Sequence, residues 1–273
     1  MSIVTSRQPL LPTAACTLNL TAHDLAHRKY GRLWAPGVQL ERRRTTIRWP
    51  VQPRYCEPHT MIVDVGSFVG DDLVKFLSRC TANLTVHTFE PVRMLRDQLL
   101  ERRARLAHPE YLQSHAFGLG DSNRSVCFGQ ARMVGAAGTM ALSSPHQRSA
   151  SACVAPGWIV DAAHTLRRFA RIDLLQINCE GCEYEVLERL LSWPASSAQS
   201  PLAAVRAIEV QFHLAIGPQS ETSRYCRIEE RLRERGYSLD YRFPFTWERW
   251  SRRRHAAGPA AAAQPQGARR RAA

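Results

Sequence analysis

An acid and two glycines stand at Asp64, Gly66 and Gly70 within Ile62-Val-Asp-Val-Gly-Ser-Phe-Val-Gly-Asp71. The apolar run before them reads as a buried strand that enters a turn and then a helix. Gly66 lets the chain turn sharply, and Gly70 lets backbone approach a ligand with no Cβ in the way. The helix start offers free N–H groups to a carboxylate or phosphate. Asp64 at the strand end can attract an ammonium group, and Ser67 lies in the turn between them. Glu90 in Val86-His-Thr-Phe-Glu-Pro91 falls at the tip of the next strand, 20 residues after Gly70. An acid there can accept both hydroxyls of a ribose. A nicotinamide site would place G-x-G-x-x-G in the turn, whereas this turn spaces its glycines as Gly66-x-x-x-Gly70. The spacing favours S-adenosylmethionine (SAM), whose methionine part carries both charges.

A third segment runs from Ile172 to Leu187 as Ile-Asp-Leu-Leu-Gln-Ile-Asn-Cys-Glu-Gly-Cys-Glu-Tyr-Glu-Val-Leu. A buried strand ends in Asn178, Glu180 and Gly181 and leads into a helix. Glu180 and Glu183 sit just past a strand end and are candidate catalytic acids. Glu185 favours the helix start through the dipole. Further on, Glu209, Gln211 and His213 alternate along a strand and so share a face. Methyl transfer to a protonated acceptor needs a base. His213, with an ordinary pKa near ~6.5, is the first candidate and Glu180 the second.

The elements that must position these groups alternate. Strands are expected at 61–65, 84–89, 111–117, 172–177 and 204–213, and helices at 71–80, 92–106, 183–191 and 224–235. Residues 237–241 and 245–250 are expected to close the sheet as an antiparallel pair, and 125–160 to hold short strands and loops. Strands alternating with helices imply an α/β fold with a largely parallel sheet, whose ligands bind beyond the C-terminal strand ends.

These residues resemble the FkbM family of SAM-dependent methyltransferases, including its eukaryotic methyltransferase-like members. The resemblance spans about residues 60–250 and rests on Val-Asp-Val-Gly-Ser-Phe-Val-Gly, Phe-Glu-Pro, the segment from Ile172, and the closing Tyr-Arg-Phe-Pro-Phe-Thr-Trp-Glu-Arg-Trp. The segment from Ile172 is the most specific, since the family reads I-D-L-L-K-I-D-x-E-G-x-E there. His115-Ala-Phe-Gly-Leu-Gly-Asp121 is similar to the segment closing the family's third strand. The resemblance implies a Rossmann-like class I methyltransferase: a seven-stranded, mostly parallel sheet flanked by helices, with an antiparallel C-terminal strand. It also implies O-methylation of a hydroxyl on a small molecule or carbohydrate. Asp121 and Asn178 join Asp64, Gly66, Ser67, Gly70 and Glu90 as expected cofactor residues. Asn178 stands where the family has Asp, and Gln211 where it often has Glu. These departures motivate an alternative, a SAM-binding protein that has lost turnover.

The 273 residues carry a net charge of +13. The excess lies at the ends, for residues 57–250 hold 22 basic and 22 acidic side chains. Of the 37 basic residues 35 are Arg, a skew that fits GC-rich coding better than selection for phosphate contacts. An Arg-rich RNA-binding module is therefore the weaker alternative, and no nucleic-acid partner is expected. The chain is expected to divide into a basic N-terminal extension (1–56), a methyltransferase domain (57–255) and an Ala/Arg-rich disordered tail (256–273). Tyr30 to Trp34 of the extension is a candidate for docking on the domain. No stretch reaches the ~18 apolar residues of a membrane span, and no signal peptide is evident. A soluble protein is expected, with the cytoplasm slightly favoured. The eight cysteines show no paired spacing beyond Cys179-x-x-Cys182, so no zinc or other metal site is expected and they read as buried thiols. Asn19-Leu-Thr and Asn83-Leu-Thr are N-glycosylation triplets, the second preceding a buried strand, which argues against its use.

Overall fold

The structure, a computed structural model, describes residues 55–130, 139–141, 155–194, 197, 199–213, 218–243 and 247–252. Most of the expected N-terminal extension, including Tyr30 to Trp34 and Asn19, lies outside these residues, as does the C-terminal tail. The main sheet contains seven strands. They are β1 (Met61–Val65), β2 (Thr85–Phe89), β3 (Leu112–His115), β8 (Leu174–Ile177), β9 (Ala207–Val210), β10 (Tyr237–Phe243) and β11 (Trp247–Arg252). Their order is β10-β11-β9-β8-β1-β2-β3. β1 pairs in parallel with β2 and β8, β2 with β3, and β8 with β9. β11 runs antiparallel to both β9 and β10. This is the Rossmann-like sheet with an inserted antiparallel strand that the family resemblance implies. The order reverses at β1, so the C-terminal ends of β1 and β8 flank the crevice where such sheets bind ligands.

The central strands β1, β8 and β9 are mostly apolar because helices cover both faces, with Asp64, Gln176 and Glu209 as their buried polar exceptions. Ile62, Val63, Leu174, Leu175, Ile177, Ile208 and Val210 are fully buried. The helices are α1 (Asp71–Leu77), α2 (Arg93–Arg103), α3 (Ala162–Leu166), α4 (Glu183–Leu191) and α5 (Pro218–Glu234). In α4 the apolar positions 186, 187, 190 and 191 recur at helical spacing, and all four side chains are completely buried. Each contributes about 1.5–3 kcal/mol over an exposed position. This packing holds the first turn of α4, with Glu183, against the rim of the sheet.

The fold departs from the sequence reading in a second sheet and in its cysteines. A second sheet is built from β4 (Gly118–Gly120), β5 (Arg124–Gln130), β6 (Thr139–Ala141) and β7 (Ala155–Asp161), in the order β4-β7-β5-β6. The segment closing the third strand is thus a strand of another sheet: β3 ends at His115, and β4 pairs with β7 instead. The described cysteines are also not thiols. Cys56 is bonded to Cys80 and Cys179 to Cys182, each pair with Cα atoms 5.4 Å apart. Cys127 and Cys226 are disulfide-bonded as well, and no described cysteine is free. The fold brings Cys56 to the end of α1 across 24 residues of sequence, a proximity that spacing alone does not reveal.

Candidate functional site

The loop after β1 is shaped by two glycines. Gly66 has φ 86°, and a Cβ on it would stand 2.3 Å from the carbonyl oxygen of Asn178. Only a residue without a side chain lets the β1 and β8 loops approach this closely. Gly70 has φ 75° and is the N-cap of α1. Its missing Cβ makes room for Leu99 Cδ1, 2.1 Å from where the Cβ would be. The space that a Gly70 side chain would need is filled by α2. Between the glycines, Phe68 also has a positive φ of 53° and is 40% exposed. Glu180, in the β8 loop, has φ 55°. Backbone strain in a side-chain-bearing residue costs on the order of 1–3 kcal/mol, and it occurs in both loops that flank the crevice.

Glu90 follows β2 and is 4% exposed. Its carboxylate accepts from the backbone N–H of Phe68 and of Val92, each at 2.9 Å. Glu90 is thereby tied to the Gly66–Gly70 loop, and each oxygen keeps a lone pair for a further donor. Burial pushes its pKa up to about 7, against the pull of the two N–H donors. Asp64 is 2% exposed and accepts from Thr88 Oγ1 at 2.8 Å and Gln176 Nε2 at 3.0 Å. Burial likewise pushes it up to about 7. It lies within β1, bridged to β2 and β8 under the loop. Ser67 Oγ and Asn178 Oδ1 are both buried without a hydrogen-bond partner. Two orphaned oxygens in the adjoining β1 and β8 loops fit a polar ligand in the crevice.

On the other side of Asn178, Glu180 and His213 from two loops meet Glu183 at the start of α4. His213, 9% exposed, approaches Glu183 through Nδ1 at 2.7 Å and Glu180 through Nε2 at 3.4 Å. Glu183 has no exposed surface. It also accepts from the backbone N–H of Cys179 at 3.1 Å and of Gly181 at 2.8 Å, and so folds the loop that the Cys179–Cys182 disulfide closes. Burial pulls the His213 pKa down, but the two carboxylates outweigh it and push it up to about 10. The expectation of an imidazole with an ordinary pKa is therefore corrected. A pKa raised this way favours the imidazolium at neutral pH, a form with no lone pair to serve as a base. Its hydrogen bond and charge hold Glu180 below the usual carboxylate range, though burial opposes them. The Glu180 side chain is 27% exposed, against 11% for His213.

The remaining predicted residues have local partners. The Asp121 side chain, 56% exposed, bonds Ser122 Oγ at 2.8 Å and Arg124 Nη1 at 2.5 Å in the β4–β5 turn. Arg124 also pairs with Glu185. Glu209 is fully buried and accepts from the Tyr241 hydroxyl. The strand pattern that aligned Glu209, Gln211 and His213 ends at Val210, and residues 211–213 leave the sheet. Phe212, packed between Tyr184 and Tyr225, fixes that exit. The roles of the two N–H donors to Glu90 and of the disulfide around Glu180 carry no sequence signal beyond Cys179-x-x-Cys182.

No protein-family model matches the chain, and no curated protein matches it. Solved structures do resemble it. The methyltransferase FkbM of Methylobacillus flagellatus KT is 12% identical, with a TM-score of 0.43 over 71% of this chain and 43% of that one. The O-methyltransferase TomG of Streptomyces achromogenes, involved in tomaymycin synthesis and in complex with SAM, is 11% identical at a TM-score of 0.40, over 81% and 89%. Aeropyrum pernix fibrillarin with natively bound SAM is 9% identical at 0.39, over 72% and 67%. The chain thus spans less than half of the FkbM structure. Likeness at this level leaves the chemistry to the chain's own residues.

Proposed function

We propose that this protein is a SAM-dependent methyltransferase that methylates a hydroxyl of a small molecule or carbohydrate. One observation carries the reading: at the switch point of the sheet, a glycine-shaped loop is hydrogen-bonded to a buried acid at the end of the neighbouring strand. Glu90 would accept the ribose hydroxyls. Gly66, Ser67 and the backbone around them would hold the methionine part, and Asn178 would close the crevice from β8. Asp64 acts from beneath, as a buried carboxyl that supports the loop and favours a cationic ligand. Asp121, in the second sheet, is a candidate for the far side of the cofactor. SAM supplies an electrophilic methyl on a sulfonium, which an oxygen nucleophile attacks in line.

The protein's task is to align the acceptor and take its proton. Glu180 is the base in this reading, because it is ionised, partly exposed and set at the rim. His213 is a positioning residue, holding Glu180 from one side while Glu183 holds His213 from the other. The assignment is tested by the pH dependence of labelled-methyl transfer to a panel of hydroxyl acceptors. With Glu180 as base and SAM saturating, kcat/KM for the acceptor shows no limb that belongs to His213, and the base's own limb lies on the acid side of 4.5. A limb near 6.5 that disappears in His213→Gln would return the base role to His213. Glu180→Gln should lower turnover by roughly 10²–10⁴-fold with little change in SAM affinity.

A further inference from the structure

Asn83 lies in the loop between α1 and β2, at the end of the sheet opposite the crevice. Its side chain is exposed, although Leu84 after it is buried and Thr85 begins β2. Its backbone carbonyl accepts from the N–H of His59 at 2.6 Å, and the Thr85 N–H donates to Thr60 at 2.9 Å, so the loop is fixed while the amide points outward. The expectation that a following buried strand excludes Asn83-Leu-Thr is thus overturned locally: burial starts one residue later. Three residues before Asn83, Cys80 is bonded to Cys56, and the described cysteines are all in disulfides. Disulfides of this kind form in oxidising compartments, above all the secretory pathway, and not in a reducing cytosol.

We propose that the protein folds in the secretory pathway and carries an N-linked glycan on Asn83. The donor is a lipid-pyrophosphate-linked oligosaccharide. Asn83 Nδ2 forms a bond to the sugar's anomeric carbon as that carbon's bond to the pyrophosphate oxygen breaks. The lipid pyrophosphate leaves with the electron pair, and the Nδ2 proton passes to a base of the transferase. The triplet is read on the unfolded chain, and the fold then leaves the modified amide in solvent. The C-terminal strand ends remain clear, so the glycan and the candidate methyltransferase site do not compete. This proposal does not depend on the methyltransferase reading.

The test uses the full chain, directed into the secretory pathway of a eukaryotic cell line behind a cleavable signal. Non-reducing peptide maps report the disulfides. Peptide-N-glycosidase treatment in isotopically heavy water converts a glycosylated Asn83 to labelled Asp. The expected result is a Cys56–Cys80 linked peptide together with labelled residue 83, lost in Asn83→Gln and Thr85→Ala and restored in Thr85→Ser. Unlabelled residue 83 in protein whose Cys56–Cys80 bond has formed would overturn the proposal. Free Cys56 and Cys80 in the secreted protein would overturn it equally.

Discussion

At the scale of single residues, His213 shows how a neighbourhood changes a group's chemistry. Its type and its place near a strand end were readable, but its partners were not. Glu183 lies 30 positions away and reaches it only because α4 starts beside the exit of β9. The charge pair sets a pH window for stability. The folded His213 pKa is raised, so its contribution is complete below the ordinary 6.5 and is lost as pH rises through about 10. The folded Glu180 pKa is lowered, so its contribution is complete above 4.5 and is lost as pH falls through the lowered value. The pair is therefore fully stabilising between about pH 4.5 and 6.5. His213→Gln should cost about 3 kcal/mol there, because Glu183 loses its buried cation, and progressively less toward pH 10. Melting curves of both proteins across pH measure this directly. A pH-independent difference would mean that His213 is neutral in the fold.

At the scale of elements, the buried parallel strands were the most legible, since two covered faces leave mostly apolar runs at 61–65 and 172–177, broken only by Asp64, Asp173 and Gln176. The four-stranded second sheet was not. Its β4 is only Gly-Leu-Gly, and Arg124-Ser-Val-Cys-Phe shows no clean alternation, so its strands are defined by pairing rather than by residue type. The closing hairpin of β10 and β11 was legible as a pair, but the charges that fasten it were not. Arg242 bonds Glu248 at 2.9 Å and Glu229 of α5 at 3.1 Å, with both carboxylates buried. Burial pushes the Glu248 carboxyl up, and Arg242 opposes it. Arg242→Met should therefore destabilise by about 3–5 kcal/mol, because two buried acids lose their shared cation. Chemical denaturation measures it, and a loss under ~1 kcal/mol would show a pair as weak as a surface one.

At the scale of the whole molecule, the domain expected to begin at 57 has packed residues before that point. Tyr55 is 5% exposed, lies under Arg249 with the guanidinium 5.0 Å from the ring centre, and accepts from it. Cys56 holds the same segment to α1. A chain of residues 55–255 should melt cooperatively, and one of 57–255 should be less stable by about 2–5 kcal/mol, the cost of losing a native disulfide. Equal stability would mean that neither Tyr55 nor Cys56 matters to the core. The sheet as a whole presents one rim, where the ends of β1, β2, β8 and β9 bring Gly66, Glu90, Glu180 and His213 to one side. The most direct test of that rim is calorimetric titration of SAM into the full chain and into Glu90→Ala. Saturable one-site binding by the native chain, weakened in the variant by about 1–3 kcal/mol or roughly 5- to 150-fold, is the predicted result. A native chain that does not bind SAM, or a variant that binds it equally well, would contradict the account.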